Sequence, residues 1–424
     1  MAHTLAEKIL LSHCDADDVA PGDLVMVRCD VVLTNDISGP MAFRAMKKMG
    51  VEKVFDPAKV VVVPDHFIPA KDARSAELQK LLAEWAAAQG VAYYGQGRGG
   101  IEHTVLVEEG WVVPGSVIAG GDSHTCTYGA LGSFGTGLGS TDIAACLATG
   151  EFWQAVPGTI QIEFSGEKRP FVTGKDLIPG VIAEIGVGGG TNMVLEFVGP
   201  GAEALTIDER LAVANMAVEA GSETGLFPAD ERVAAYLDGR TGRPWQADRS
   251  DPDAELAQRL QIDLDSLPPL VALPHSPGNI VPVDEARGLA IDQVYVGNCS
   301  NGTITDLRQT AEILRGRTVH PRCRMIIVPA SQRVYRQALD EGLLDVFVEA
   351  GAMVSTPTCG ACFGGGNGIL AGGERAIATT NRNFRGRMGS PESEVCLANA
   401  WVAAAAAVAG EIVDPAELLE GVPA

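Results

Sequence analysis

Short β-branched runs, each closing on a polar tip and followed by a helical stretch, recur along this chain and limit the folds open to it. DLVMVRCDVVL reads as one buried strand, VVVVPDHF as a short run ending in polar residues, and SVIAGGDSH as an apolar strand with a polar tip. LAEKILL, PMAFRAMKKMG and AELQKLLAEWAAAQG read as helices, the last two stopped by Gly50 and Gly90. VYVGNCSNG, MIIVPA and MVSTPTCGAC repeat the strand-and-tip theme late in the chain. This alternation predicts an α/β fold. In open α/β sheets the functional groups sit beyond the carboxyl ends of the strands. Asp65-His66, His103 and Asp122-Ser123-His124 all occupy such tips or nearby loops.

The chain has 424 residues, enough for two or three domains. Hydrophobic residues make up 46% and aromatics only 5%, so the core is mostly Ala, Val, Leu and Ile. Fifty glycines without a collagen period suit many tight turns near ligands. Residues 1–170, 171–283 and 284–424 are expected as three domains. The polar insert Asp238–Asp253 is expected as a surface loop, and the Pro-rich stretch Leu267–Pro282 as a connection. No internal sequence repeat is strong enough to name.

A net charge of −22 argues against a nucleic-acid partner. It leaves room for an anionic substrate, because Arg375, Arg382, Arg385 and Arg387 cluster beside the single acid Glu374. Nine cysteines in a chain this long are not a secreted disulfide framework. The N-terminus lacks a signal-peptide pattern, and Ala400–Ala409 is too short to span a bilayer. That stretch reads as a buried Ala-rich helix, and the cytoplasm is the expected compartment.

Three cysteines carry chemistry. Cys359 and Cys362 form a Cys-x-x-Cys turn in TPTCGACFGGG, and Cys299 lies in a similar tip, VGNCSNGT. Alone, Cys-x-x-Cys serves redox sites, zinc sites and simple packing alike. Three thiolates leave one metal position open for substrate, where a structural site wants four ligands. The other six (Cys14, Cys29, Cys126, Cys146, Cys323 and Cys396) read as packing residues. Asp122-Ser123-His124 is either an oriented imidazole or an N-cap beside a surface His, and Asp65-His66 has the same ambiguity. In TTNRNFRGRMG, Arg382 and Arg387 are spaced like a carboxylate clamp, against the alternative of a solvated basic loop. The glycine motifs GSFGTGLG and GVGGGT lack the strand–GxGxxG–helix frame of a dinucleotide site.

Taken together, VVVPDHF, GIEHTV, GGDSHTCTYGALGSFGTG, EFVGPG, VALPHSPGNIVPV, VGNCSNGTITDLR, TPTCGAC and TTNRNFRGRMG resemble the aconitase superfamily over nearly the whole chain. The likeness is greatest to the large subunits of its isopropylmalate dehydratase and homoaconitase branch. The resemblance implies three α/β/α domains packed around a 4Fe-4S cluster held by Cys299, Cys359 and Cys362, without the fourth, swivelling domain of single-chain aconitases. It implies a hydro-lyase that isomerises a 2-hydroxy di- or tricarboxylic acid by dehydration and rehydration. Isopropylmalate, in leucine synthesis, is the first expectation, with homocitrate or homoaconitate, 2,3-dimethylmalate and citramalate as alternatives. FGGGNG after Cys362 departs from the Leu-Gly-Gly-His-type sequence typical of the branch.

The same resemblance assigns roles. His66 with Asp65 would protonate the departing hydroxyl. His103 would pair with Glu196, and His124 with Asp122. Ser123, Arg382 and Arg387 would hold carboxylates, Asn381 would lie near the cluster, and Asn35 would contact substrate or serve as a turn residue. The proton-abstracting base would come from a separate small subunit. Different-class readings are a zinc or thiol redox protein using Cys-x-x-Cys, and a non-catalytic iron-sulfur or RNA-binding protein.

Overall fold

The computed structural model describes residues 2–419. These divide into two compact units. The first comprises residues 2–65, 70–166 and 188–263, and the second residues 66–69, 167–187 and 264–419.

The first unit holds a five-stranded parallel sheet in the order Ala92–Tyr93, Val60–Val62, Val31–Thr34, Val117–Gly120, Phe134–Gly137. In chain order this is 3-2-1-4-5, the doubly wound pattern, with its switch point between the first and fourth strands. Val31–Thr34 is wholly buried, so it reads as an unbroken apolar run rather than an alternating one. The single strand expected over DLVMVRCDVVL is two. Leu24–Arg28 pairs antiparallel with Glu151–Ala155, and Val31–Thr34 enters the parallel sheet. The break falls where the Cys29 and Asp30 amides turn to Gly150 and Val117 carbonyls. Periodicity could not show it, because both halves are apolar.

A second parallel sheet of this unit runs Thr224–Leu226, Met193–Val198, Gly158–Ser165, Gln258–Asp263, which is 3-2-1-4 in chain order. The insert Asp238–Asp253 forms no helix or strand, but it is tied down. Ser250 accepts from the Leu5 amide at 2.7 Å, and Lys8 pairs with Asp251 at 2.7 Å.

The second unit is built on a seven-stranded sheet. Its five parallel strands, Met353–Val354, Arg324–Ile327, Gln293–Val296, Arg375–Ala378 and Glu394–Leu397, again run 3-2-1-4-5. The stretch expected as a bare connection supplies the other two. Leu270–Ala272 and Ile280–Pro282 form an antiparallel pair on that sheet's edge. Prolines 269, 274, 277 and 282 masked a strand signal that an edge position tolerates. Ala400–Ala409 is the expected buried helix. Small side chains let it lie close against the helix Ile304–Leu314.

One buried carboxylate of this unit reports on pH. Asp176 closes the capping box at the start of the helix Gly174–Ile185 and accepts from Thr173, Asn399 and the Leu270 amide at 2.7–3.1 Å. Burial pushes its pKa up to about 6, against the pull of the Asn399 hydrogen bond and the backbone donors. A raised folded pKa gives stability that is complete below pH about 4 and lost as pH rises through about 6. The stability of the wild type relative to Asp176→Asn is expected to fall by about 3 kcal/mol across that window. Urea titrations of both proteins at pH 4, 5, 6 and 7 measure it.

Candidate active site

At the switch point of the five-stranded sheet, the tips of Val31–Thr34 and Val117–Gly120 carry Asn35-Asp36 and Asp122-Ser123-His124. The tips approach closely: a Cβ on Gly121 would lie 2.1 Å from the Ser38 hydroxyl. Asp122 caps the 3-10 helix Ser123–Leu131, accepting from the His124 amide at 2.8 Å. The same carboxylate oxygen, Oδ1, meets His103 Nε2 at 3.0 Å and His124 Nδ1 at 3.3 Å. Asp122 is therefore both cap and imidazole partner, and His124 is buried rather than on the surface.

His103 also meets the Tyr128 hydroxyl at 3.3 Å through Nδ1, and His124 Nε2 meets Glu219 Oε1 at 3.0 Å. Both rings are buried, with centroids 6.4 Å apart. Burial opposes ionisation of Asp122, but hydrogen bonds from His103 and then His124 hold its carboxyl well below the usual range. An imidazole between two carboxylates donates to both only when protonated. His124 has that setting, between Asp122 and Glu219.

The expected pairing of Glu196 with His103 is replaced. Glu196 accepts from the Ser250 hydroxyl at 2.8 Å and from Gln161 at 3.3 Å, on the second sheet of this unit. Burial raises its pKa, against the Ser250 and Gln161 hydrogen bonds. Besides Asp122, Glu102 Oε1 lies 3.7 Å from His103 Nε2, and the carboxylate at His124 Nε2 is Glu219, which sequence reasoning missed. Its one signal was a single acid inside the small apolar run VANMAVEAG. Asp65 accepts from the Glu102 amide at 2.9 Å, and its own amide donates to Asp36 at 3.3 Å. Asn35 is committed within the fold. Its Oδ1 accepts from the Ile37 and Ser38 amides, and its Nδ2 donates to Glu102 at 2.8 Å.

In the second unit the tips of the seven-stranded sheet carry the sulfurs. Cys299 follows Gln293–Val296, and Cys359 and Cys362 follow the edge strand Met353–Val354. Asn381, beyond Arg375–Ala378, joins them. Its Nδ2 donates to Cys299 Sγ at 3.2 Å, and its Oδ1 lies 3.6 Å from Cys362 Sγ. All three cysteines are buried and free of disulfides. The Cys299 loop is pinned by Asn301, which donates to Asp306 at 3.0 Å inside the capping box of the next helix.

These residues fit an iron-sulfur cluster. A buried donor, Asn298 Nδ2, meets no acceptor among the described residues, one position from Cys299. Burial, and then the charges of Cys362 and Cys359, push the Tyr295 phenol well above its usual range, so its hydroxyl stays protonated beside them.

Phe363 directly follows Cys362, and its ring meets His66 edge-on at 4.8 Å and Phe67 at 5.3 Å. Gly365 leaves the space this needs, since a Cβ there would lie 1.8 Å from the Phe363 ring. Gly365→Ala must displace that ring and with it the support of His66. Turnover is expected to fall about tenfold with iron content unchanged, measured by steady-state assay and iron analysis. Arg382 and Arg387 lie on the loop after Arg375–Ala378, half-buried. Arg387 Nε is buried and meets no acceptor among the described residues, an open donor for a carboxylate.

The description "Aconitase family (aconitate hydratase)" matches residues 7–410. The chain is 75% identical to the 3-isopropylmalate dehydratase large subunit 2 of Rubrobacter xylanophilus over 418 residues, covering 99% of each. It is 52% identical to the 3-isopropylmalate dehydratase large subunits of Desulfitobacterium hafniense and Moorella thermoacetica, covering 99% of this chain and all of theirs. Among solved structures, aconitase X of Thermococcus kodakaraensis in its holo-form matches with a TM-score of 0.53 at 13% identity, over 92% of each chain. That likeness speaks for the fold.

Proposed function

The chain belongs to the aconitase family, and from that premise we propose that it is the large subunit of a 3-isopropylmalate dehydratase. It is a hydro-lyase, and the reaction would move a hydroxyl by dehydration and rehydration. The observation that carries the substrate is 75% identity across 99% of both chains to a large subunit of that name. Homocitrate, 2,3-dimethylmalate and citramalate are the other hydroxy-acids to be tried. No helix among the described residues is long and apolar enough to cross a membrane, and we place the enzyme in the cytoplasm.

Cys299, Cys359 and Cys362 would hold a 4Fe-4S cluster. When bound, that cluster supplies Lewis-acid chemistry through the iron that lacks a protein ligand. The protein's own groups manage protons and orientation. His66, steadied by Phe363, would protonate the departing hydroxyl, with Asp65 beside it in the chain. The His103–Asp122–His124–Glu219 chain would hold a proton at the imidazole nitrogens. Arg382 and Arg387 would grip substrate carboxylates, with Ser123 as a further donor and Asn381 fixing the sulfurs. The base that removes the carbon-bound proton would come from a small subunit.

The test is anaerobic reconstitution with iron and sulfide, then assay on the four hydroxy-acids with and without the small subunit. Isopropylmalate is expected to turn over fastest, and only with both subunits. Full-rate turnover by the chain alone would sink the small-subunit part. Preference for another acid would reassign the substrate, and an active zinc form without sulfide would end the cluster reading.

A further inference from the structure

Arg382 is bracketed by two buried asparagines. Asn381 and Asn383 are 0% and 1% exposed, while Arg382 between them is half-buried. Asn381 serves the sulfurs, its Nδ2 donating to Cys299 Sγ at 3.2 Å. Asn383 serves the sheet. Its Nδ2 faces three backbone carbonyls, those of Leu273 at 2.9 Å, Val395 at 3.1 Å and Ala272 at 3.4 Å. Leu270–Ala272 and Glu394–Leu397 are neighbouring strands, so one side chain ties the loop to both. Phe384 and Arg385 follow and are exposed, which makes Asn383 the last buried side chain before the loop turns outward.

Stability alone is a poor account of this asparagine. Asn383 Oδ1 is buried and meets no donor among the described residues, which is a cost to the fold. The amide cannot turn over to relieve it, because its oxygen would then face the three carbonyls. The side chain is therefore held in one orientation. The main chain that carries Arg382 is fixed from both sides, by the sulfurs and by the sheet.

We propose that Asn383 is a positioning residue for the substrate carboxylate: it fixes the main chain of Arg382, so that the guanidinium is presented at a set distance from the sulfurs. This rests on the carboxylate grip assigned to Arg382 above. Bidentate pairing of a guanidinium with a carboxylate is a geometric match, and a small shift of its base weakens it. A grip made alike in bound substrate and in the transition state appears in KM and leaves kcat nearly unchanged. In this role Asn383 touches no reacting atom and acts through Arg382 alone.

The experiment uses the reconstituted enzyme with its small subunit, and isopropylmalate as the substrate. Asn383→Ala is expected to raise KM about tenfold with kcat within about twofold of the wild type. Asn383→Ser keeps one donor and should raise KM less. Arg382→Lys keeps the charge and loses the bidentate fit, so it should raise KM at least as much as Asn383→Ala. On that background Asn383→Ala should add less than about twofold, because the two act through one contact. Iron content and the urea midpoint are read beside the kinetics. A lower urea midpoint with KM unchanged is the mark of a purely structural role and would overturn the proposal. An equal rise in KM from Asn383→Ala with Arg382 and with Lys in its place would overturn it too. A wild-type KM in Arg382→Lys would instead fail the carboxylate-grip reading. If Asn383→Ala does not fold, Asn383→Ser, alone and with Arg382→Lys, decides in the same way.

Discussion

Cys359→Ser is expected to abolish dehydratase turnover and to leave the reconstituted chain without a stable cluster, and Cys299→Ser and Cys362→Ser to do the same. A hydroxyl is a far poorer ligand for iron than a thiolate, and three protein sulfurs leave none to spare. The effect should exceed that of any packing change, because Cys→Ser alters one atom and little volume. Cys323→Ser is the control. Cys323 is half-buried, its Sγ contacts the Ile291 carbonyl at 3.0 Å, and it lies outside the Asn381 cage, so most activity should remain. Iron, sulfide and visible absorption would be measured beside turnover. An active, cluster-bearing Cys359→Ser protein would contradict the ligand assignment.

Asp122→Asn is expected to lower kcat by about 10²–10⁴-fold, the range for a lost acid–base group, with iron content retained. The substitution keeps shape and removes charge. The oxygen it weakens serves His103 Nε2, His124 Nδ1 and the His124 amide together. Both rings would lose the carboxylate that selects their protonation and orientation. Glu219→Gln should act in the same direction through His124 Nε2. Glu196→Gln should cost less than tenfold, because Glu196 bonds Ser250 and Gln161 rather than an imidazole. Equal losses in Glu196→Gln and Glu219→Gln would count against the pairing drawn from the geometry.

Much of the fold was readable because strands, tips and stops are local signals. The buried runs, the Gly90 helix stop and the Ala-rich helix near the C-terminus required no partner to be seen. What escaped was non-local. The division of DLVMVRCDVVL depends on strands some ninety and one hundred and thirty residues downstream. The shared 3-2-1-4-5 order of the five-stranded sheet and of the parallel strands in the seven-stranded sheet left no repeat in residue identity. Parallel packing needs only an apolar run in each strand, and many sequences meet that demand.

The residue string alone determined the chemistry in reserve: three thiols in turn contexts, imidazoles beside acids at strand tips, and guanidinium groups on one glycine-bearing loop. Folding decided who meets whom. Glu219 takes His124 across 95 positions of chain, and Glu196 is diverted to Ser250 across 54. The reason is geometric: strand order and helix placement choose among several chemically equivalent carboxylates, and no local pattern carries that choice.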